Sequence, residues 1–177
     1  MFMKIINDIE NSLKADCYFA ALALALTLPD ICGKAEYGDI SCKKRYTKWY
    51  NKNMGQDEKC PTQPYEQECP YMSGEVAYSL RNCFLHQGTP TVDKNKIREE
   101  CCKIDRFILR LQKENPWIIA SNSASVSNFG PHGYNGNALF REYTVDVRGF
   151  CKKLCLCAEG YYQKNPEKFN FFNYEIE

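Results

Sequence analysis

The chain has 177 residues, 44% of them hydrophobic and 14% aromatic, and a net charge of +1, which is enough apolar material for one domain around a single core. Near-neutral charge excludes a broad, salt-sensitive nucleic-acid surface and leaves room only for local basic patches. The eleven cysteines are an odd number, which excludes a fully paired disulfide scaffold.

The first predicted element is a helix from Phe2 to Leu28. Ile5, Ile9 and Leu13 recur at helical spacing, and the almost wholly apolar half that follows is expected to be buried all round. Pro29 and Gly33 are expected to close this helix. The apolar run from Cys17 to Leu28 follows Asp8, Glu10 and Asp16, has no small-residue cleavage site after it, and is too short to span a bilayer comfortably. The expectation is therefore no secretory signal, no membrane partner, and a reducing cytoplasm in which most cysteines act as small buried apolar residues. A second helix, Ile40 to Asn53, spaces Tyr46, Trp49 and Tyr50 as a packing face. It also carries Lys43, Lys44, Arg45 and Lys48. Lys94, Lys96 and Arg98 form another basic cluster, and each cluster reads first as a solvated helix face or loop and second as a local basic patch around a small site. Met54 to Tyr71, with Pro61, Pro64 and Pro70, is a loop.

Ser73 to Gly88 predicts a helix bounded by its own punctuation. Ser73 is a good N-cap, Glu75 lies in the first turn where the macrodipole favours a carboxylate, and Gly88 follows the last turn with Pro90 beyond. Val76, Leu80, Cys83 and Phe84 form an apolar flank, while Glu75, Ser79, Asn82 and His86 form a polar stripe. At about 100° per residue, Arg81 falls roughly 140° around the helix from His86. A second copy of the chain, packed about a two-fold axis, would bring both Arg–His sets into one cleft.

Beyond Gly88, Lys94 to Lys103 predicts a short helix, Ile104 to Leu111 a strand, and Phe140 to Val147 a second strand with alternating apolar and polar residues. A short strand near Trp117 to Ala120 is expected to join them. The polar stretch Ser121 to Asn137, which contains His132, reads as a connection. A last helix from Arg148 to Gln163 precedes an aromatic tail, Phe169 to Tyr174, expected to dock on the body. The predicted fold class is mainly α: a helical bundle with a small antiparallel β insertion before the last helix. Cys151, Cys155 and Cys157, with Cys101 and Cys102 upstream, lack the tight C-x-x-C knuckle of zinc sites, so neither metal nor cofactor is expected. Stoichiometric zinc or a reactive thiol is the competing reading of these cysteines.

Arg81, Asn82 and His86 form an R-N-x-x-x-H arrangement that resembles the R-(N/D/H)-x-x-x-H signature of the HEPN superfamily. These are small helical domains often found as metal-independent endoribonucleases in bacterial toxin, abortive-infection and CRISPR effector systems. The resemblance covers this helix and the order of helices around it. It implies His86 as general acid and base, Arg81 as phosphate and transition-state stabiliser, Asn82 as the residue that orients them, and dimerisation through this helix. Lys43, Lys44, Arg45 and His132 are weaker candidates for substrate contact. RNA is the implied substrate, a second copy the implied partner, and an antitoxin a further one. The alternative is a noncatalytic HEPN-like helical module for dimerisation, nucleotide or protein binding. An Arg and a His near a helix C-terminus also arise simply as a solvated face with dipole-favoured cations.

Overall fold

Phe2, Ile6, Ile9 and Leu13 recur every three or four residues and are buried together, so the N-terminal stretch forms helix α1, Phe2–Lys14, with one face in the core. The computed structural model describes residues 1–55, 70–111 and 140–174, and the backbone of 123–127. Among these are six α-helices and three strands.

The single helix expected from Phe2 to Leu28 is in fact two, and a third begins at Leu28. Helix α1 ends at Ala15, and Asp16 adopts a left-handed conformation with φ of 56°. The Cys17 N–H donates to the Ser12 carbonyl at 2.8 Å and the Asp16 N–H to that of Leu13 at 3.3 Å. This is the Schellman pattern with Asp where Gly is usual, tolerated because a short polar side chain tolerates that region better than most. Helix α2, Tyr18–Ala25, follows, then α3, Leu28–Tyr37. Pro29 does not close a helix but opens one, occupying the first turn of α3 where its missing N–H has no helical partner. Gly33 lies inside α3 because a Cβ there would sit 2.7 Å from the Arg45 carbonyl oxygen, so the missing side chain permits the close approach of the next helix. Nor is α2 buried all round: Ala21, Leu22 and Ala25 are buried, whereas Phe19 is 72% exposed. Tyr18–Tyr37 is, by length and composition, the one stretch among the described residues apolar enough to cross a membrane; Leu22, Leu26, Leu28 and Cys32 within it are packed into the core.

Helix α4, Cys42–Tyr50, continues into a π turn, Asn51–Gly55. Its Tyr46, Trp49 and Tyr50 are fully buried, the packing face that their spacing predicts. Helix α5, Gly74–Asn82, packs antiparallel to α4, with Tyr46 edge-on to Tyr78 at one end and Gly74 against Thr47 and Asn51 at the other. Gly74 is obligatory there: a Cβ would lie 2.6 Å from the Thr47 carbonyl oxygen, and its N–H donates to the Asn51 side chain at 2.6 Å.

The predicted helix at Lys94 to Lys103 is two short 3₁₀ turns, Lys94–Lys96 and Glu100–Cys102. Strand β1 is Arg106–Arg110, β2 is Ser123–Ser127 and β3 is Phe140–Asp146. They form one sheet in the order β1-β3-β2. The pairing of β1 with β3 is parallel, not antiparallel, with Arg106 opposite Glu142 and Arg110 opposite Asp146. The reason is the long return: 29 residues separate β1 from β3, so the chain comes back to the same end, and only β2 pairs antiparallel with β3. The strand expected at Trp117 to Ala120 lies outside the described residues. Helix α6, Val147–Lys164, follows β3 without a connecting residue and packs on α1, α2 and α3. The aromatic tail docks in part: Phe169 is buried, with its ring 4.6 Å from that of Phe2 and 5.0 Å from that of Tyr162, whereas Phe171 and Tyr174 are exposed.

Glu36 of α3 clasps three other elements. Its carboxylate accepts from Lys52 at 2.8 Å, Tyr161 at 2.7 Å and Lys168 at 2.8 Å. The hydrogen bonds from Lys168, Lys52 and Tyr161 hold its pKa down at about 2. The ordinary glutamate value is about 4.3, so this stabilisation is complete above that pH and is lost as pH falls through about 2. Glu36→Gln is therefore expected to lower the urea midpoint at pH 7, with the gap to wild type closing between about pH 4 and pH 2. A gap that stays constant with pH counts against the clasp.

Candidate functional site

Helix α5 begins as its sequence dictates. Ser73 accepts from the Val76 N–H at 3.3 Å through its side chain, and Glu75 occupies the first turn. The other end departs from a regular helix. Cys83–Gln87 form a π turn in which the Gly88 N–H donates to the Cys83 carbonyl, five residues back, and Gly88 closes the element with φ of 62°.

That turn changes the site's geometry. In a regular α-helix residues five apart point about 140° away from one another. In the wider i to i+5 register they stack. Arg81 and His86 are five apart, and the Arg81 Nη1 lies 3.3 Å from the His86 Nε2. The same Nη1 donates to the Asn82 Oδ1 at 3.2 Å. All three residues of the R-N-x-x-x-H arrangement therefore meet within one chain, where the α-helical projection keeps them apart and calls on a second copy to unite them. A guanidinium has no acceptor, so in this contact Nε2 is the acceptor and the imidazole carries its proton on Nδ1.

Arg81 is held from beneath. Its guanidinium lies over the Tyr78 ring, 5.7 Å from the centroid, and Tyr78 is packed edge-on by Tyr46. The Arg81 Nε is buried without an acceptor, and none of the described residues accepts from Nη2. Half of a planar fork is thus uncommitted beside an exposed histidine ring.

Behind this pair, Cys42 donates to Asp30 at 3.3 Å, and Asp30 also accepts from the Arg45 Nε at 2.6 Å. Burial, and then the bond to Asp30, push the Cys42 thiol up. Burial likewise pushes up the hydroxyls of Tyr78 and Tyr46. None of the three hydroxyl and thiol groups is poised as an anionic nucleophile, and the Asp30 carboxylate behind them is engaged by Arg45.

The weaker candidates are placed differently. Arg45 is engaged by Asp30 and by the Ile40 carbonyl at 3.2 Å. Lys43 donates to the Lys96 carbonyl at 2.9 Å and pairs with Glu75 at 3.7 Å. Lys44 is exposed on α4. His132 lies outside the described residues. In the second basic cluster, Lys94 pairs with Asp105 at 2.8 Å and Lys96 with Asp93 at 3.6 Å. Tyr78, Cys42 and Asp30 escaped the sequence reading. Tyr78 was recoverable from its i, i+3 spacing to Arg81, but Cys42 and Asp30 reach the site only through the packing of α3 and α4.

Two recesses flank these elements. An apolar cleft of about 270 Å³ lies beside the π turn, lined by Phe19, Leu80, Phe84, Pro90, Phe107 and Leu109. At its rim, the Phe19 and Phe84 rings stack at 5.8 Å and 15°. A larger groove of about 620 Å³ runs between α1 and α6 past Glu10, Lys14, Arg148 and Lys152, and includes none of the three motif residues. The smaller cleft lies on the apolar flank of α5 and the π turn, and its lining likewise includes none of the three motif residues.

Compared with family models, curated proteins and solved structures, the chain has no match.

Proposed function

We propose that the chain is a metal-independent endoribonuclease of the HEPN type that acts as a homodimer. The observation that carries this reading is the contact of Arg81 with both His86 and Asn82 on an accessible face of one chain. In the reaction, one unprotonated His86 takes the proton from a ribose 2′-hydroxyl. The freed oxygen attacks the adjacent phosphorus, and the P–O bond to the 5′-oxygen breaks as the protonated His86 of the second copy donates to it. The products carry a 2′,3′-cyclic phosphate and a 5′-hydroxyl. Arg81 exchanges its bond to the ring for bonds to the phosphoryl oxygens, where charge gathers in the transition state.

The second copy supplies an acid opposite the base rather than a missing arginine. The exposed Phe19 ring, stacked on half-buried Phe84 beside the π turn, favours an apolar contact there, and the same feature suits the alternative, a noncatalytic module that dimerises or binds a nucleotide or protein. The biological setting we assign is cytoplasmic toxin or phage defence, with an antitoxin-like partner restraining the activity.

Incubation of purified protein with RNA in EDTA tests this, with circular dichroism verifying that the chain stays folded. Cleavage that persists in EDTA and leaves cyclic phosphate ends is the expected result; intact RNA at high protein concentration leaves the module. Coexpression of wild type with an excess of the R81A/H86A double variant tests the shared groove. Activity per wild-type chain should fall in proportion to the wild-type fraction, whereas independent sites would leave it constant.

A further inference from the structure

Glu99, Cys101 and Cys102 converge at the second 3₁₀ turn. Their ligating atoms all lie within 4.8 Å of one another, the one such group of three among the described residues. The two sulfurs are 3.9 Å apart, and the Cys102 sulfur lies 3.3 Å from the Glu99 Oε2. A tetrahedral zinc ion, with Zn–S of about 2.3 Å and Zn–O of about 2.0 Å, sets sulfurs about 3.8 Å apart and sulfur and oxygen about 3.5 Å apart. Two edges of the cluster thus come within a few tenths of an ångström of the edges of a zinc tetrahedron, and the third is no longer than 4.8 Å.

Its surroundings suit a closed inner side and an open outer one. Cys102 is fully buried, Cys101 is half-buried and Glu99 is exposed. The Tyr71 hydroxyl donates to the Glu99 carboxylate, and the backbone of Tyr71 hydrogen-bonds the Cys102 sulfur. Those are the outer contacts that orient metal ligands. The Arg141 guanidinium holds the intervening backbone through the Glu100 carbonyl at 2.8 Å. No other group among the described residues competes on these terms: Cys151 and Cys155 are buried in α6, and the Cys157 sulfur faces the Asn53 carbonyl at 3.7 Å.

We propose that Glu99, Cys101 and Cys102 bind one zinc ion, with solvent in the fourth position. All three protein ligands come from the turn before β1, and Tyr71, on the segment that leads into α5, meets the site through Glu99 and Cys102. Binding displaces the thiol protons to solvent. Protons compete with the metal for the thiolates, so affinity falls as pH is lowered.

The test is titration of the reduced, metal-free full chain with zinc, and with cobalt to read thiolate-to-metal charge transfer. About one equivalent per chain is expected, with a two-thiolate cobalt spectrum. Cys101→Ser should weaken binding by more than about 100-fold, and Glu99→Gln by at least about 10-fold. Both residues lie at the surface side of the turn, so neither change should unfold the chain, and melting curves in EDTA verify that. No stoichiometric zinc in wild type overturns the proposal. So does zinc bound with unchanged affinity by Cys101→Ser, which would place the metal on other cysteines.

Discussion

Replacing Arg81 by Ala is expected to lower RNA cleavage by about 10²–10³-fold, the cost usual for removing one preorganised donor to a charged transition state. His86→Ala should lose about 10²–10⁴-fold, the range for a positioned general acid or base. Both expectations come from one geometry. The guanidinium is fixed by the Tyr78 ring and by Asn82, so its charge needs little reorganisation when the phosphoryl group arrives. The imidazole is exposed, so truncating it opens no core cavity. Stability should change little in His86→Ala, and a melting curve separates lost chemistry from lost fold. Arg81 and His86 act on one phosphodiester, so the double variant should be scarcely worse than the poorer single variant. Multiplicative losses in the double variant, or full activity in either single one, would remove the catalytic reading.

The largest expected effect on stability is at Trp49. Its ring is completely buried and meets Tyr161 edge-on at 5.8 Å and 87°, joining α4 to α6. Trp49→Ala should cost about 3–5 kcal/mol through lost transfer free energy and the cavity left behind. In a chain of this size that lowers Tm by roughly 6–20 °C. The indole N–H has no acceptor among the described residues, so Trp49→Phe removes no hydrogen bond and a donor left unsatisfied in the fold. The Phe variant should therefore keep well over half of what the Ala variant loses. Equal destabilisation by the two would mean that the indole nitrogen has a partner.

Both residues stand on elements whose existence was readable from local pattern. Ser73, Glu75 and Gly88 delimit the motif helix in the sequence, and they do so in the structure. Tyr46, Trp49 and Tyr50 are spaced as a packing face and are buried as one. The limits of β1 and β3 fall within two residues of the segments that predicted them. Local pattern failed where a residue's usual role was taken over by its surroundings. Asp16 does the work of a C-terminal glycine, so the end of α1 carries no glycine to mark it. Pro29 and Gly33 look like terminators, yet one starts α3 and the other lets α4 approach it.

The sequence by itself determined the helix ends set by capping, the apolar faces set by periodicity, and which few residues carry the candidate chemistry, because each of these depends on neighbours within a turn or two. Only the tertiary structure decided that β1 and β3 run parallel, that α3 and α4 supply the wall of Asp30 and Cys42 behind Arg81, and that a π turn brings His86 round to meet it. Strand direction and the wall follow from contacts between residues far apart in the chain. The change of register by one residue per turn is too small a shift in periodicity for side-chain spacing to reveal.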